Sequence, residues 1–329
     1  MIKAIFVAAV GLLSASAQTI KLTKMNISTG SVTVGGLSSG AFMAVQMHVA
    51  HSSLIHGAAI YAGGPYYCAM GNLMVAEEKC MYALMPVNVN QLKTFTDAAF
   101  SQKKIDDPKL MADDKVFLFS GKKDSLVNPK VVQYAADYYG LYMPKTNIVT
   151  DFDLDAQHCI PTLNYGETCN MLKSPYLGKC NHDGAGLALE QLYGEDFTRG
   201  VKVAANLKKF DQTSFFSGLH TSIADFGYIY IPTACASGAT ACKLHMSFHG
   251  CSQDYASIGN IYADNAGFNE WAEANNIIVV YPYTVPDKTT GNSNSCWDWW
   301  GYTNADYVYQ SGVQIKFARD VLDALIGTA

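Results

Sequence analysis

Much of what would assign a chain of 329 residues to a common binding class is missing here, and each absence excludes something. After the first residues no apolar run reaches about 18, so no later segment is long enough to span a bilayer as a helix. There is no CxxC pair, the usual mark of structural zinc or a thioredoxin-type redox site. A glycine-rich phosphate loop is also absent, and Gly35-Gly36 finds its use elsewhere. No linker rich in Pro, Gly or Ser/Thr and no internal repeat divides the chain. Residues 18–329 are therefore expected to fold as one domain with no tethered module. Basic runs are short as well. The formal net charge is -5, and the lysines cluster only as pairs such as Lys103-Lys104, Lys122-Lys123 and Lys208-Lys209. These read as solvated surface, which excludes nucleic acid as a partner.

What is present begins with a leader. Lys3, the apolar stretch from Ile5 to Leu13 and the small-residue site Ala15-Ser16-Ala17 predict a signal peptide over residues 1–17, cleaved before Gln18. The expectation is a secreted protein, extracellular or periplasmic, with no membrane insertion. Nine cysteines in an exported chain predict disulfides. Closeness in sequence favours Cys68 with Cys80, Cys169 with Cys180 and Cys235 with Cys242. Cys251 and Cys296 are left as a long-range pair, and Cys159 as a free thiol.

The most informative segment is Gly36-Leu37-Ser38-Ser39-Gly40, between the strand-like run Val32 to Val34 and the helix-like run Ala41 to Ala50. Such a pattern arises by chance in roughly one chain in ten of this length, so its context has to carry the argument. A sharp strand-to-helix turn strains its central residue, and glycines two positions before and after remove the Cβ atoms that would clash. The Ser38 hydroxyl is then presented at the edge of a sheet.

The elements that follow alternate as in a parallel α/β sheet. Strands are predicted at Ala58 to Ala62, Lys115 to Ser120 and Asn147 to Phe152, and helices at Val89 to Phe100 and Val131 to Tyr139. Asp124 follows the second of these strands, at the carboxyl end where α/β sheets gather their sites. A cap for the helix that starts at Asn128-Pro129 is the competing reading of Asp124. The third strand leads through Asp151, Asp153 and Asp155 to His158. Serine, acid, histidine is the chain order of an α/β-hydrolase triad. Ser38 would be only the twenty-first residue after cleavage, leaving no room for the strands that normally precede such a nucleophile. Three more strand-like runs, Gly227 to Ile231, Leu244 to Phe248 and Ile277 to Tyr281, lie behind His158. We therefore expect a circularly permuted α/β-hydrolase fold, a mostly parallel central sheet with helices on both faces.

In this reading His158 takes the Ser38 proton, Asp124 orients the imidazole, and the backbone N–H groups of Ser39 and Cys251 hold the oxyanion. His249-Gly250-Cys251 resembles the His-Gly turn that follows the oxyanion strand of esterases. His245 and His249 stand four apart, about 13 Å along a strand, too far to share one ion. No metal and no cofactor is expected. Three of the four tryptophans fall within Asn292 to Trp300, and large rings on an active-site loop suit an apolar chain-like substrate. Asn294 and Trp299 are the preferred substrate contacts, with Trp297, Trp300 and His249 as further candidates. At least one of the three rings is expected to be core.

Taken together, the segment 36–40, Ser120-Gly-x-x-Asp124, His158 ahead of Pro161-Thr162, Ser174-Pro175-Tyr176, His249-Gly250-Cys251 and Asn294-Ser295-Cys296-Trp297-Asp298-Trp299 resemble the extracellular polyhydroxybutyrate depolymerase family, in its single-domain, circularly permuted form. The likeness runs over nearly all of the mature chain. It implies a serine esterase acting on short-side-chain poly(3-hydroxyalkanoate) and its oligomers, with Ser38, Asp124 and His158 as the triad and Ser39 and Cys251 as oxyanion donors. The expected partner is a polyester or oligoester met by a monomer. Many bacterial members carry a linker and a polymer-binding domain that this chain lacks. A secreted carbohydrate esterase of the feruloyl or acetyl xylan type, and a non-catalytic surface-binding protein, are the alternative readings.

Overall fold

A computed structural model describes residues 19–194 and 196–328; the expected leader, 1–17, lies outside the described residues. The chain enters on β1 (Ile27–Leu37), turns at Ser38 into α1 (Ser39–Ala50) and continues through β2 (Gly57–Tyr61), α2 (Leu73–Cys80), α3 (Val89–Ser101), β3 (Lys115–Phe119), α4 (Pro129–Tyr139) and β4 (Ile148–Asp151). Three short strands follow, β5 (Ile160–Thr162), β6 (Glu167–Thr168) and β7 (Leu177–Lys179), and then α5 (Gly184–Tyr193). The second half contributes β8 (Leu207–Asp211), β9 (Phe226–Tyr230), β10 (Cys242–Phe248), the short helices α6 (Tyr255–Ile258) and α7 (Ile261–Asn265), α8 (Phe268–Asn275), β11 (Ile277–Tyr281) and α9 (Val313–Ile326).

Eight strands form one sheet in the order β4-β3-β2-β1-β10-β11-β9-β8. Pairing is parallel from β4 to β11 and antiparallel across β11-β9 and β9-β8. The strand that ends at Ser38 therefore sits mid-sheet, with Gly36 level with Ile60 on one side and Phe248 on the other. Central strands read as unbroken apolar runs, Gly57–Tyr61 and Ile277–Tyr281, with every residue buried. That is the signature of strands covered on both faces. Edge strand β8 instead mixes lysines with apolar residues, Leu207-Lys208-Lys209-Phe210, with Phe210 buried and Lys208 exposed.

Strand β10 shows which helices cover which face, because side chains an odd number of residues apart point to opposite sides. Phe248 meets Trp297, which stacks on Phe317 of α9; His245 meets Phe268 of α8. The α1–α9 layer thus lies opposite the α5–α8 layer. Helix α1 is buried on all sides, as expected of a helix sandwiched inside a core. Its polar residues are satisfied internally: Gln46 Nε2 donates to the Asp298 carbonyl at 2.9 Å, and His48 bridges Tyr139 and Asp114.

Disulfides join Cys68–Cys80, Cys169–Cys180, Cys235–Cys242 and Cys251–Cys296, and Cys159 is free and buried. Among the described residues no helix is long and apolar enough to cross a membrane.

Candidate active site

Ser38 occupies the turn between β1 and α1 with φ 58° and ψ −122°, a strained conformation that persists only where the surroundings enforce it. They do so here through hydrogen bonds: Ser38 N–H donates to the Tyr61 carbonyl at 2.9 Å, and its own carbonyl accepts from Ala41 and Phe42 at 2.9 and 3.0 Å. The flanking glycines are required sterically. A Cβ on Gly36 would lie 2.5 Å from the Phe248 carbonyl oxygen, and one on Gly40 would collide with the Phe248 and His249 carbonyls. The elbow is pressed against the end of β10, and only glycine permits that approach.

Asp124 and His158 reach the same rim from loops after β3 and β4. The loops are sewn together by backbone bonds, Lys122 N to Leu154 O at 2.9 Å and Lys123 N to Ala156 O at 3.0 Å. Gln157 Oε1 accepts from both the N–H and the hydroxyl of Ser125 at 3.1 Å. Gly121 is packed so closely on Ala156 that a Cβ there would strike the Ala156 carbonyl. Asp124 Oδ2 meets His158 Nδ1 at 2.8 Å, and Oδ1 accepts from Leu126 and Val127 N–H at 2.9 and 2.8 Å. One oxygen thus caps the turn over 124–127 and the other holds the histidine; Asp124 is not the helix cap, which is Asn128, whose Oδ1 accepts from Lys130 N–H at 3.0 Å. Both side chains are buried, whereas Ser38 is partly exposed.

Ser38 and His158 line one cavity of about 400 Å³, whose walls include Leu126, Tyr176, Trp299 and Trp300. Trp299 stacks on Phe42 with ring centroids 4.4 Å apart, and Trp300 meets its edge at 5.6 Å. Asn294, Gly250 and Cys251 line the same cavity. Beside the mouth, α2 and the segment after it expose Leu73, Met74, Tyr82, Leu84 and Met85.

Two of the candidate substrate contacts fall elsewhere. Trp297 is fully buried between Phe248, His249 and Phe317, so it is core and not cavity wall. His249 is also fully buried and does not line the cavity. Its Nδ1 lies 2.7 Å from the Gly250 carbonyl, and its Nε2 accepts from Thr284 N–H at 3.2 Å. Burial lowers its pKa to about 4, which keeps the ring neutral at ordinary pH with the proton on Nδ1. His245 is buried on the other face, bonded to Thr33 and lowered to about 3 by desolvation. Among the described residues no group of three His, Cys, Asp or Glu side chains could hold a metal ion.

Ser39 opens α1, so its N–H has no acceptor within the helix. On the Cys251 side both neighbouring amides are engaged, Gly250 N with Gln253 Oε1 at 2.6 Å and Ser252 N with Asn294 O at 2.7 Å. Gly250 comes so near the elbow that a Cβ on it would sit 3.3 Å from Ser38 Cβ. The sequence offered no signal for Gln253, Thr284 or Phe42, which are ordinary residues until the fold brings them here.

What the sheet carries at its carboxyl edge makes this an α/β-hydrolase. No family model matches the chain. It is 39% identical over 308 residues to a poly(3-hydroxybutyrate) depolymerase of Delftia acidovorans, across 92% of this chain and 61% of that protein. The chain thus spans about three fifths of the length of that relative. A polyhydroxybutyrate depolymerase of Talaromyces funiculosus is 35% identical over 312 residues, 89% of each chain. Solved structures of a PHB depolymerase from Penicillium funiculosum, and of a serine-to-alanine PHB depolymerase complexed with an R3HB trimer, superpose with a TM-score of 0.87 at 32% identity, covering 94% of this chain and 99% of theirs. The chain belongs to the polyhydroxybutyrate depolymerase family.

Proposed function

We propose that the protein is a secreted serine esterase that hydrolyses short-side-chain poly(3-hydroxyalkanoate), polyhydroxybutyrate and its oligomers, through an acyl-enzyme on Ser38. The observation that carries this reading is the single cavity shared by Ser38 and His158, the latter tied at 2.8 Å to a buried aspartate. With Nδ1–H donated to Asp124, His158 has Nε2 left to accept the Ser38 proton as Oγ attacks the ester carbonyl. The carbonyl oxygen becomes an oxyanion, received by the Ser39 and Cys251 N–H groups. Collapse of the tetrahedral species breaks the bond to the alkoxy oxygen, and His158 gives that oxygen the proton so that it leaves as an alcohol. Water then repeats the sequence on the acyl-enzyme and regenerates Ser38.

Further support comes from the relatives named above, one of them complexed with an R3HB trimer, and from the aromatic wall and apolar rim, which suit a repeating oligoester better than a charged substrate. The four disulfides fit an oxidising compartment outside the cytosol. We read residues 18–329 as a single catalytic domain, monomeric, needing no cofactor and no nucleic acid. We also read the fold as permuted, because β10 and β11 follow His158 in sequence yet pair beside β1.

Clearing of an amorphous polyhydroxybutyrate emulsion is the direct test, with release of soluble hydroxybutyrate oligomers and its abolition by Ser38→Ala as the expected result. A purified protein that leaves the emulsion turbid while cleaving feruloyl or acetyl sugar esters would instead be a carbohydrate esterase.

A further inference from the structure

The Gly250–Cys251 peptide is held from two directions by side chains, the buried His249 and Gln253 at the cavity wall, and together they fix where its N–H points. A trans peptide is planar, with N–H and C=O on opposite sides. The Gly250 carbonyl belongs to the same peptide unit as the Cys251 N–H, and it is fixed by His249 Nδ1–H at 2.7 Å. The preceding unit is fixed through Gly250 N–H, which donates to Gln253 Oε1 at 2.6 Å. Gln253 is fully buried, and its Nε2 donates to the Pro175 carbonyl at 2.7 Å, one residue before Tyr176 on the cavity wall. Thr284 completes the support. Its N–H selects the His249 tautomer, and its hydroxyl donates to the Ser295 carbonyl at 2.6 Å, beside the disulfide-bonded Cys296.

We infer that Gln253, with His249 behind it, is a positioning residue that aims the Cys251 N–H at the oxyanion by clamping the two peptides on either side of Gly250. Gln253 suits this place because a primary amide supplies an acceptor for Gly250 and a donor for Pro175 in one uncharged group. It also couples the oxyanion turn to the 174–176 segment. The Gly250 N–H is consumed by this clamp, which leaves the Cys251 N–H as the amide of this turn available to an oxyanion. The inference rests on the proposed reading of Ser38 and Cys251. It adds to that reading the group that sets the geometry of the second donor.

The test uses Gln253→Leu and Gln253→Glu in the full chain, with a soluble short-chain p-nitrophenyl ester as substrate and an alkyl boronic acid as a probe that forms a tetrahedral adduct on the serine. Loss of an oxyanion donor lowers kcat by about 10²- to 10³-fold; loss of its positioning residue is expected to lower kcat by roughly 10- to 100-fold, with KM within about three-fold. Boronate affinity should fall in step with kcat. Gln253→Glu supplies a readout that a merely structural role would not move. Its protonated carboxyl can still accept from Gly250 and donate to Pro175, whereas its carboxylate cannot donate. The kcat of Gln253→Glu relative to the parent should therefore be highest in acid and decline as pH rises. A folded Gln253→Leu with unchanged kcat, or with the loss confined to KM, overturns the inference, as does a Gln253→Glu ratio that is flat with pH. If Gln253→Leu does not fold, the Gln253→Glu profile decides alone. Retained activity in Ser38→Ala would instead bring down the underlying reading, so the two failures are told apart.

Discussion

Strand β3 is bracketed by two buried aspartate–histidine pairs that look alike as chemistry and differ in everything that matters for function. At its amino end Asp114 binds His48 Nε2 at 3.1 Å and also faces His56, while the other nitrogen of His48 is taken by the Tyr139 hydroxyl at 3.1 Å. At its carboxyl end Asp124 binds His158 through Nδ1 alone, and the ring borders the cavity that Ser38 enters. The first pair is closed on itself. The second keeps one nitrogen for work. On the proposed reading, burial and a carboxylate partner do not mark out a catalytic histidine; position at the carboxyl end of the sheet and an open nitrogen do.

Parallel substitutions sharpen this contrast. Asp124→Asn should cut kcat on a soluble ester by about 10⁴-fold, whereas Asp114→Asn should leave kcat of the folded protein within about two-fold. Asp114→Asn should instead cost about 2 to 3 kcal/mol of stability, read as a shifted denaturation midpoint, because it removes the carboxylate that hydrogen-bonds a buried histidine. Comparable rate losses in both would collapse the distinction. Burial pushes Asp114 up, but the hydrogen bonds from His48 and His56 outweigh it and hold the carboxyl below the usual range.

The tryptophan loop allows a similar comparison. Trp297→Ala should lower stability by about 3–5 kcal/mol, as for other large core deletions, with KM for a hydroxybutyrate oligomer unchanged. Trp299→Ala should raise that KM several-fold, because its ring forms the cavity wall. A KM effect from Trp297 and none from Trp299 would reverse the assignment.

The pH dependence of folding tests the buried histidines as a group. His249 and His51 are lowered to about 4 and His245 to about 3, in each case chiefly by burial. The unfolded chain binds these protons from about pH 6.5 downward and the folded one only near 4 or 3. Their contribution is thus fully present above pH 6.5 and lost as pH falls through that window, on the order of 3 kcal/mol for each fully buried ring. His56 and His182 have the opposite sign, raised mainly by hydrogen bonds to Asp114 and Asp151. Their contribution is present in acid and lost as pH climbs through their raised pKa values, but they are partly exposed and their effect is small. Denaturant midpoints at pH 7, 5 and 4 should fall steadily; a flat series would contradict the burial argument.

Legibility in the sequence followed the range of the interaction. The elbow was readable because two glycines spaced around a serine form a short pattern in sequence, although the clash they relieve is with the distant Phe248 and His249 carbonyls, and the order Ser38, Asp124, His158 because each residue sits past a strand with its own local pattern. The central strands were readable from their unbroken apolar runs. The small sheet β5-β7-β6 was not, since its strands are two or three residues long and their pairing is fixed by the surrounding loops. The split between Trp297 and Trp299 was invisible for a related reason: it is set by distant partners, Phe248 and Phe317 against Trp297 and Phe42 against Trp299. Gln253 had no signal at all, because its partners lie three and 78 residues away.

The account stands most directly on Ser38 as the nucleophile. Incubation of the folded protein with a fluorophosphonate, followed by intact mass measurement and peptide mapping, should find one adduct, on Ser38, formed in step with the loss of polyester hydrolysis. Label on another residue, or hydrolysis that persists in protein fully labelled at Ser38, would contradict it.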